Sequence, residues 1–139
     1  MRNFKPILLV EDDDLDALTI QRAIDQLGAA HPLVRVKNGE EALEYLMDAT
    51  ARKPCLVLLD LNMPRMNGIE FLAAAKADDR SRRIPVVVLT TSQEPRDVNT
   101  SFDLGVAGYI VKPLDYEEFL DFIRIINQYW TLSELPVVS

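Results

Sequence analysis

Five polar residues stand where an apolar run gives out: Glu11 and Asp12 after ILLV, Asp60 after LVLL, Thr90 after VVVL, and Lys112 after GYIV. Strands disfavour acids, and an unpartnered carboxylate at the tip of a buried run carries a desolvation cost. If the runs are neighbouring strands, Asp12 and Asp60 lie within one or two strand spacings of about 4.8 Å. Carboxylates that close raise one another's pKa unless a cation sits between them. A small set of hard oxygen donors suits Mg2+, which keeps several waters and takes one or two carboxylates. Such an ion draws in a phosphoryl group and neutralises charge during its transfer. Asp60 is then the expected nucleophile, because carboxylates form acyl phosphates. Thr90 offers a hydroxyl at the same rim, and Lys112, restricted by Pro113, offers an ammonium.

The elements that must position these residues follow from the apolar pattern. Strands are expected over Ile7 to Val10, Leu33 to Val36, Leu56 to Leu59, Val86 to Leu89 and Gly108 to Val111. Three of these runs are almost continuously aliphatic, which marks strands covered on both faces. Between them lie helical stripes: Ala17, Ile20, Ile24 and Leu27; Ala42, Tyr45, Leu46 and Ala49; and Ile69, Leu72, Ala73 and Lys76. Asp13, Asp14 and Asp16 are expected to serve the start of the first helix, where acids meet free N–H groups and the positive end of the dipole. Strands alternating with crossover helices predict an α/β fold, a doubly wound, five-stranded parallel sheet. All strands then point their carboxyl ends to one edge, where open α/β sheets place their chemistry.

Composition narrows the classes. The chain has 139 residues, 48% of them hydrophobic, which argues for one folded domain over disorder. A net charge of −7 argues against a nucleic-acid or anionic-membrane partner. The single Cys55 cannot form an intrachain disulfide and fits a reducing compartment. No run is long enough for a signal peptide or membrane span, so a soluble, cytoplasmic protein is expected. His31, before Pro32, is expected at the surface and away from the rim.

The ordered set ILLVEDD, LLDLNMPRMNG, VVVLTTS and GYIVKP resembles the response-regulator receiver domain of two-component signalling, over essentially the whole chain. The resemblance implies a flavodoxin-like sheet of order 2-1-3-4-5, an order for which a receiver protein is a standard example. It implies that Asp60 accepts a phosphoryl group from a histidine kinase, with Glu11, Asp12 and Asp60 holding Mg2+ alongside the backbone carbonyl of Asn62. Thr90 and Lys112 would contact the phosphoryl oxygens, and Tyr109 would be the aromatic that changes rotamer with Thr90 on activation. Glu11 departs from the aspartate common at its position and is longer by one methylene. The segments TTSQEPRDV and NQYWTLSELP resemble small standalone regulators paired with phytochrome-type histidine kinases, which implies homodimers.

Output must then pass through a protein contact. Residues 1–130 are expected to form the receiver and 131–139 a tail that serves interaction, with no effector domain. The fourth helix has few apolar residues and could shift cheaply. The last helix is the opposite: Phe119, Phe122, Ile123, Ile126 and Trp130 fill one face, flanked by Leu120, Ile125 and Tyr129. Leu120, Ile125, Tyr129 and Trp130 are therefore interface candidates. Three other classes compete. A flavodoxin-like cofactor binder needs a Ser/Thr/Gly-rich phosphate loop where this chain has EDDD. A phosphatase or hydrolase needs a general acid/base, and no DxD pair surrounds Asp60. The third is an interaction module that is never phosphorylated.

Overall fold

The computed structural model describes residues 5–28, 31–63 and 66–133. Pro64 of the turn after Asp60, and residues 134–139 of the expected interaction tail, lie outside these. The elements run β1 (Ile7–Val10), α1 (Asp14–Gln26), β2 (Leu33–Val36), α2 (Gly39–Met47), β3 (Leu56–Leu59), α3 (Gly68–Ala77), β4 (Val86–Thr90), α4 (Pro95–Asp103), β5 (Gly108–Val111) and α5 (Tyr116–Leu132). The strands form one parallel sheet in the order β2-β1-β3-β4-β5. The aliphatic strands β1, β3 and β4 are buried on both faces, as continuous apolar runs require. Alternate residues divide between two cores. Leu9, Leu58 and Leu89 face α1 and α5, whereas Val10, Leu59 and Val88 face α2 and α3.

The helix starts are read from their caps. Asp13 caps α1 through the Asp16 N–H at 2.9 Å, and Asn67 with Glu70 forms a reciprocal capping box on α3. Gly68 opens α3 directly against the chain that follows Asp60. A Cβ there would stand 2.6 Å from Leu61 Cα and 2.7 Å from the Asp60 carbonyl oxygen. Gly68→Ala therefore pushes first on backbone, and moving the Leu61 side chain, 2.9 Å away, would not relieve that clash. A loss of about 1–3 kcal/mol is expected, measured as a shifted urea midpoint, together with weakened metal binding because the Asp60 loop must move.

Four expectations need correction. His31 is buried, with Nδ1 2.7 Å from the Lys5 carbonyl oxygen and 3.5 Å from Cys55 Sγ. It lies at the amino ends of the strands, where polar backbone gives an imidazole its partner. Thr90 is the last residue of β4, paired with Val111, and not the first residue beyond the strand; a β-branched side chain suits the ladder. In α3 the buried face is Gly68, Phe71, Leu72 and Ala75, rotated from the expected stripe, because the large Phe71 takes the core and Ala73 is left exposed. Helix α2 stops at Met47, before Ala49, where the Asp48 side chain accepts from the Thr50 N–H and hydroxyl and so competes with the helix.

Candidate functional site

The sheet delivers each polar residue to the rim by its own ladder. The Glu11 N–H donates to the Val36 carbonyl at 3.1 Å, and the Asp60 N–H to the Val10 carbonyl at 3.0 Å. On the other side, the Lys112 N–H donates to the Thr90 carbonyl at 2.8 Å. Residues far apart in sequence are thus fixed one step beyond adjacent strands, and the side chains meet. One carboxylate oxygen each from Glu11, Asp12 and Asp60 lie within 4.8 Å of one another. Asp60 Oδ1 accepts from the Thr90 hydroxyl at 2.8 Å and from the Asn62 N–H at 3.2 Å. Lys112 Nζ lies 2.6 Å from Glu11 Oε1, 2.9 Å from Asp16 Oδ2 and 3.5 Å from Asp60 Oδ2.

Burial sets the electrostatics. Glu11 is 1% exposed, and Asp60 and Thr90 are buried beside it. Burial lifts the Glu11 carboxyl to about 7, against the pull of the Lys112 ammonium, and the nearby Asp60 charge adds to the rise. Burial opposes the Lys112 charge, but hydrogen bonds to Glu11 and Asp16 outweigh it and raise the ammonium's pKa.

The sign of the resulting pH dependence is fixed. In the metal-free protein the folded state keeps the Glu11 proton up to about 7, whereas the unfolded chain releases it near 4.5. That stabilisation is fully present below 4.5 and is lost as pH rises to about 7. Urea midpoints in EDTA are therefore expected to fall across this window, by at most about 1.4 kcal/mol per pH unit from this group. Glu11→Gln should flatten the fall. An unchanged slope in that variant would contradict the assignment.

The expected residues separate into three places. Glu11, Asp12, Asp60, Thr90 and Lys112 converge, and Asn62 adjoins them through its N–H. Tyr109 is half-buried at the edge of the β4–α4 loop, where its hydroxyl donates to the Ser92 carbonyl at 2.9 Å. The interface candidates lie elsewhere, on α5. Ile125 and Tyr129 are 62% and 63% exposed, Leu120 is half-buried against the core, and Trp130 is buried. Trp130 continues the Phe119, Ile123 and Ile126 stripe, so core packing claims it. Its ring meets Tyr129 edge-on at 5.0 Å. Beside them an open groove of about 230 Å³ is lined by Gly108, Ile110, Ile125, Tyr129 and Trp130.

Two contributors were not expected. Asp16, in the first turn of α1, reaches Lys112; within a run of acids, sequence gives no mark of which one turns inward. Ser92 joins three elements. Its N–H donates to Thr90 Oγ1 at 3.4 Å, its carbonyl accepts from Tyr109, and its hydroxyl donates to Asp97 Oδ2 on α4 at 2.6 Å.

The family model of the response regulator receiver domain matches residues 7–124. The chain is similar to a probable methanogenesis regulatory protein, FilR2, of Methanothrix harundinacea, at 39% identity over 127 residues, covering 89% of this chain and 82% of that protein. It is similar in structure to the phosphorylated cyanobacterial phytochrome response regulator RcpA, with a TM-score of 0.90 and 39% identity over 97% of this chain and 100% of that one. It is also similar to the Mn2+-bound form of response regulator Rcp1, with a TM-score of 0.89 and 35% identity over 96% of this chain and 99% of that one. Rcp1 of Synechocystis sp. is 35% identical over 130 residues, 91% of this chain and 88% of that protein. The strand order, the acidic rim and these likenesses agree, and the chain belongs to the response regulator receiver domain family.

Proposed function

We propose that this chain is a phosphorylation-dependent switch in which Asp60 takes a phosphoryl group from a histidine kinase while Glu11, Asp12, Asp60 and the Asn62 backbone carbonyl hold Mg2+. The observation that carries this reading is the meeting of one buried aspartate with a hydroxyl at 2.8 Å, an ammonium at 3.5 Å and two further carboxylates. The donor set fits a small hard divalent ion, since it offers oxygen alone and gathers it within 4.8 Å. An ion bound there supplies neutralising charge to the phosphoryl oxygens.

The residues do the rest. The Asp60 carboxylate attacks phosphorus, so that an O–P bond forms while the P–N bond to the donor imidazole breaks and its electron pair returns to the ring nitrogen. Thr90 Oγ1 turns from Asp60 to a phosphoryl oxygen, and Lys112 Nζ shifts toward the same group. Because Ser92 touches Thr90, Tyr109 and Asp97, movement of Thr90 is felt at Tyr109 and at α4. Helix α4 has Ser101 as its one buried residue and makes no side-chain N-cap bond, so its displacement costs little.

Similarity to the phytochrome response regulators RcpA and Rcp1 supports a phytochrome-type kinase as the donor. Residues 1–130 act as the receiver and 131–139 as an interaction segment, in the cytoplasm. Exposed Ile125 and Tyr129 beside an apolar groove support a homodimer through α5 and the tail. A sedimentation mass that stays monomeric at every concentration, phosphorylated and not, would count against the homodimer. The phosphoacceptor reading is tested by intact mass after incubation with acetyl phosphate and Mg2+. The parent gains one phosphoryl group, and Asp60→Asn or EDTA prevents it. No gain in the parent overturns the reading.

A further inference from the structure

Arg35 lies on β2, the sheet's edge strand, at a position paired with Leu9 of β1. Its Nε donates to the backbone carbonyl of Glu11 at 2.9 Å, and its Nη1 pairs with Asp14 Oδ1 at 2.9 Å. That carbonyl belongs to the peptide linking Glu11 to Asp12. The same residue's N–H already donates to Val36 of β2 at 3.1 Å. Both backbone groups of Glu11 are therefore tied to one neighbouring strand, and the first turn of α1 is tied to it through Asp14. A planar guanidinium can hold two acceptors at once, where an ammonium presents a single compact charge.

We propose that Arg35 is a positioning residue for the metal site, clamping the Glu11–Asp12 peptide so that both carboxylates face Asp60. The inference rests on the metal site proposed above. Its consequence runs against simple electrostatics. A cation near a cation site should weaken metal binding, so deleting Arg35 would tighten it if charge were all that mattered. A clamp gives the opposite sign, because a loosened loop must be ordered by the ion itself. Groups that orient metal ligands without touching the metal commonly carry effects of this kind.

The test is calorimetric titration of the full chain with Mg2+ alone, repeated with Mn2+ by its electron paramagnetic resonance signal. Arg35→Met is expected to raise the Mg2+ dissociation constant about tenfold or more. Arg35→Lys keeps the charge but loses the fork, and is expected to weaken binding as well. Phosphorylation by acetyl phosphate should show the matching split: a higher half-saturating Mg2+ concentration, with the rate restored at saturation. Circular dichroism checks folding, and if the methionine variant unfolds, the lysine variant decides. Unchanged or tighter Mg2+ binding in a folded variant overturns the clamp. Absence of metal binding by the parent would instead overturn the proposed site, so the two failures are distinct.

Discussion

Lys112→Met is expected to slow phosphorylation by small donors roughly 10²–10³-fold at saturating Mg2+, the usual loss when one preorganised donor to developing charge is removed. The same side chain is a structural cation, held between Glu11, Asp16 and Asp60. Breaking a buried ion pair commonly costs about 3–5 kcal/mol. Here the cost has an escape, because Glu11 already retains its proton to about 7 and can neutralise itself. The loss of stability should therefore be larger at pH 8 than at pH 6, measured by urea unfolding in EDTA. A rate within a few-fold of the parent would remove Lys112 from the phosphoryl site. An equal destabilisation at both pH values would contradict retention of the Glu11 proton to about 7.

Asp12→Ala should separate function from stability. Glu11 and Asp60 have structural duties: Glu11 accepts from the Asp13 N–H, and Asp60 from Thr90 and the Asn62 N–H. Asp12 is half-buried at the rim and adds a third negative charge to the cluster. Its removal is expected to weaken Mg2+ binding by about two orders of magnitude or more, since affinity follows the number of charged oxygen ligands. Thermal stability in EDTA should stay level or rise, because like-charge repulsion is relieved. Calorimetric Mg2+ titration and a melting curve check both halves. Undiminished metal affinity, or a marked fall in stability, would mean that Asp12 serves the fold and not the ion.

The parts of the molecule legible in sequence were those set by short-range pattern. Aliphatic runs fixed the strands, and a run covered on both faces admits few other placements, so the converging rim followed from topology. Rotation of α3 was less legible because alanines at 73, 74 and 75 leave the stripe weakly defined until Phe71 finds its pocket. Burial of His31 depends on a carbonyl at Lys5 and a thiol at Cys55, both distant in sequence. The same holds for Asp16 and Arg35. Each looks like a surface charge in its own segment, and only the packing of α1 and β2 around β1 gives it a partner. Local pattern placed the polar residues of the rim, whereas the residues that hold them in place emerged from the tertiary structure.

Borohydride reduction of the phosphorylated protein reads the acceptor most directly. Hydride attacks the acyl carbon, phosphate leaves, and the former aspartate becomes homoserine. After incubation with acetyl phosphate and Mg2+, homoserine is expected in the peptide carrying Asp60 and in no other. Homoserine mapped to a different acid, or phosphate retained through reduction as a serine, threonine or histidine derivative, would contradict Asp60 as the phosphoacceptor.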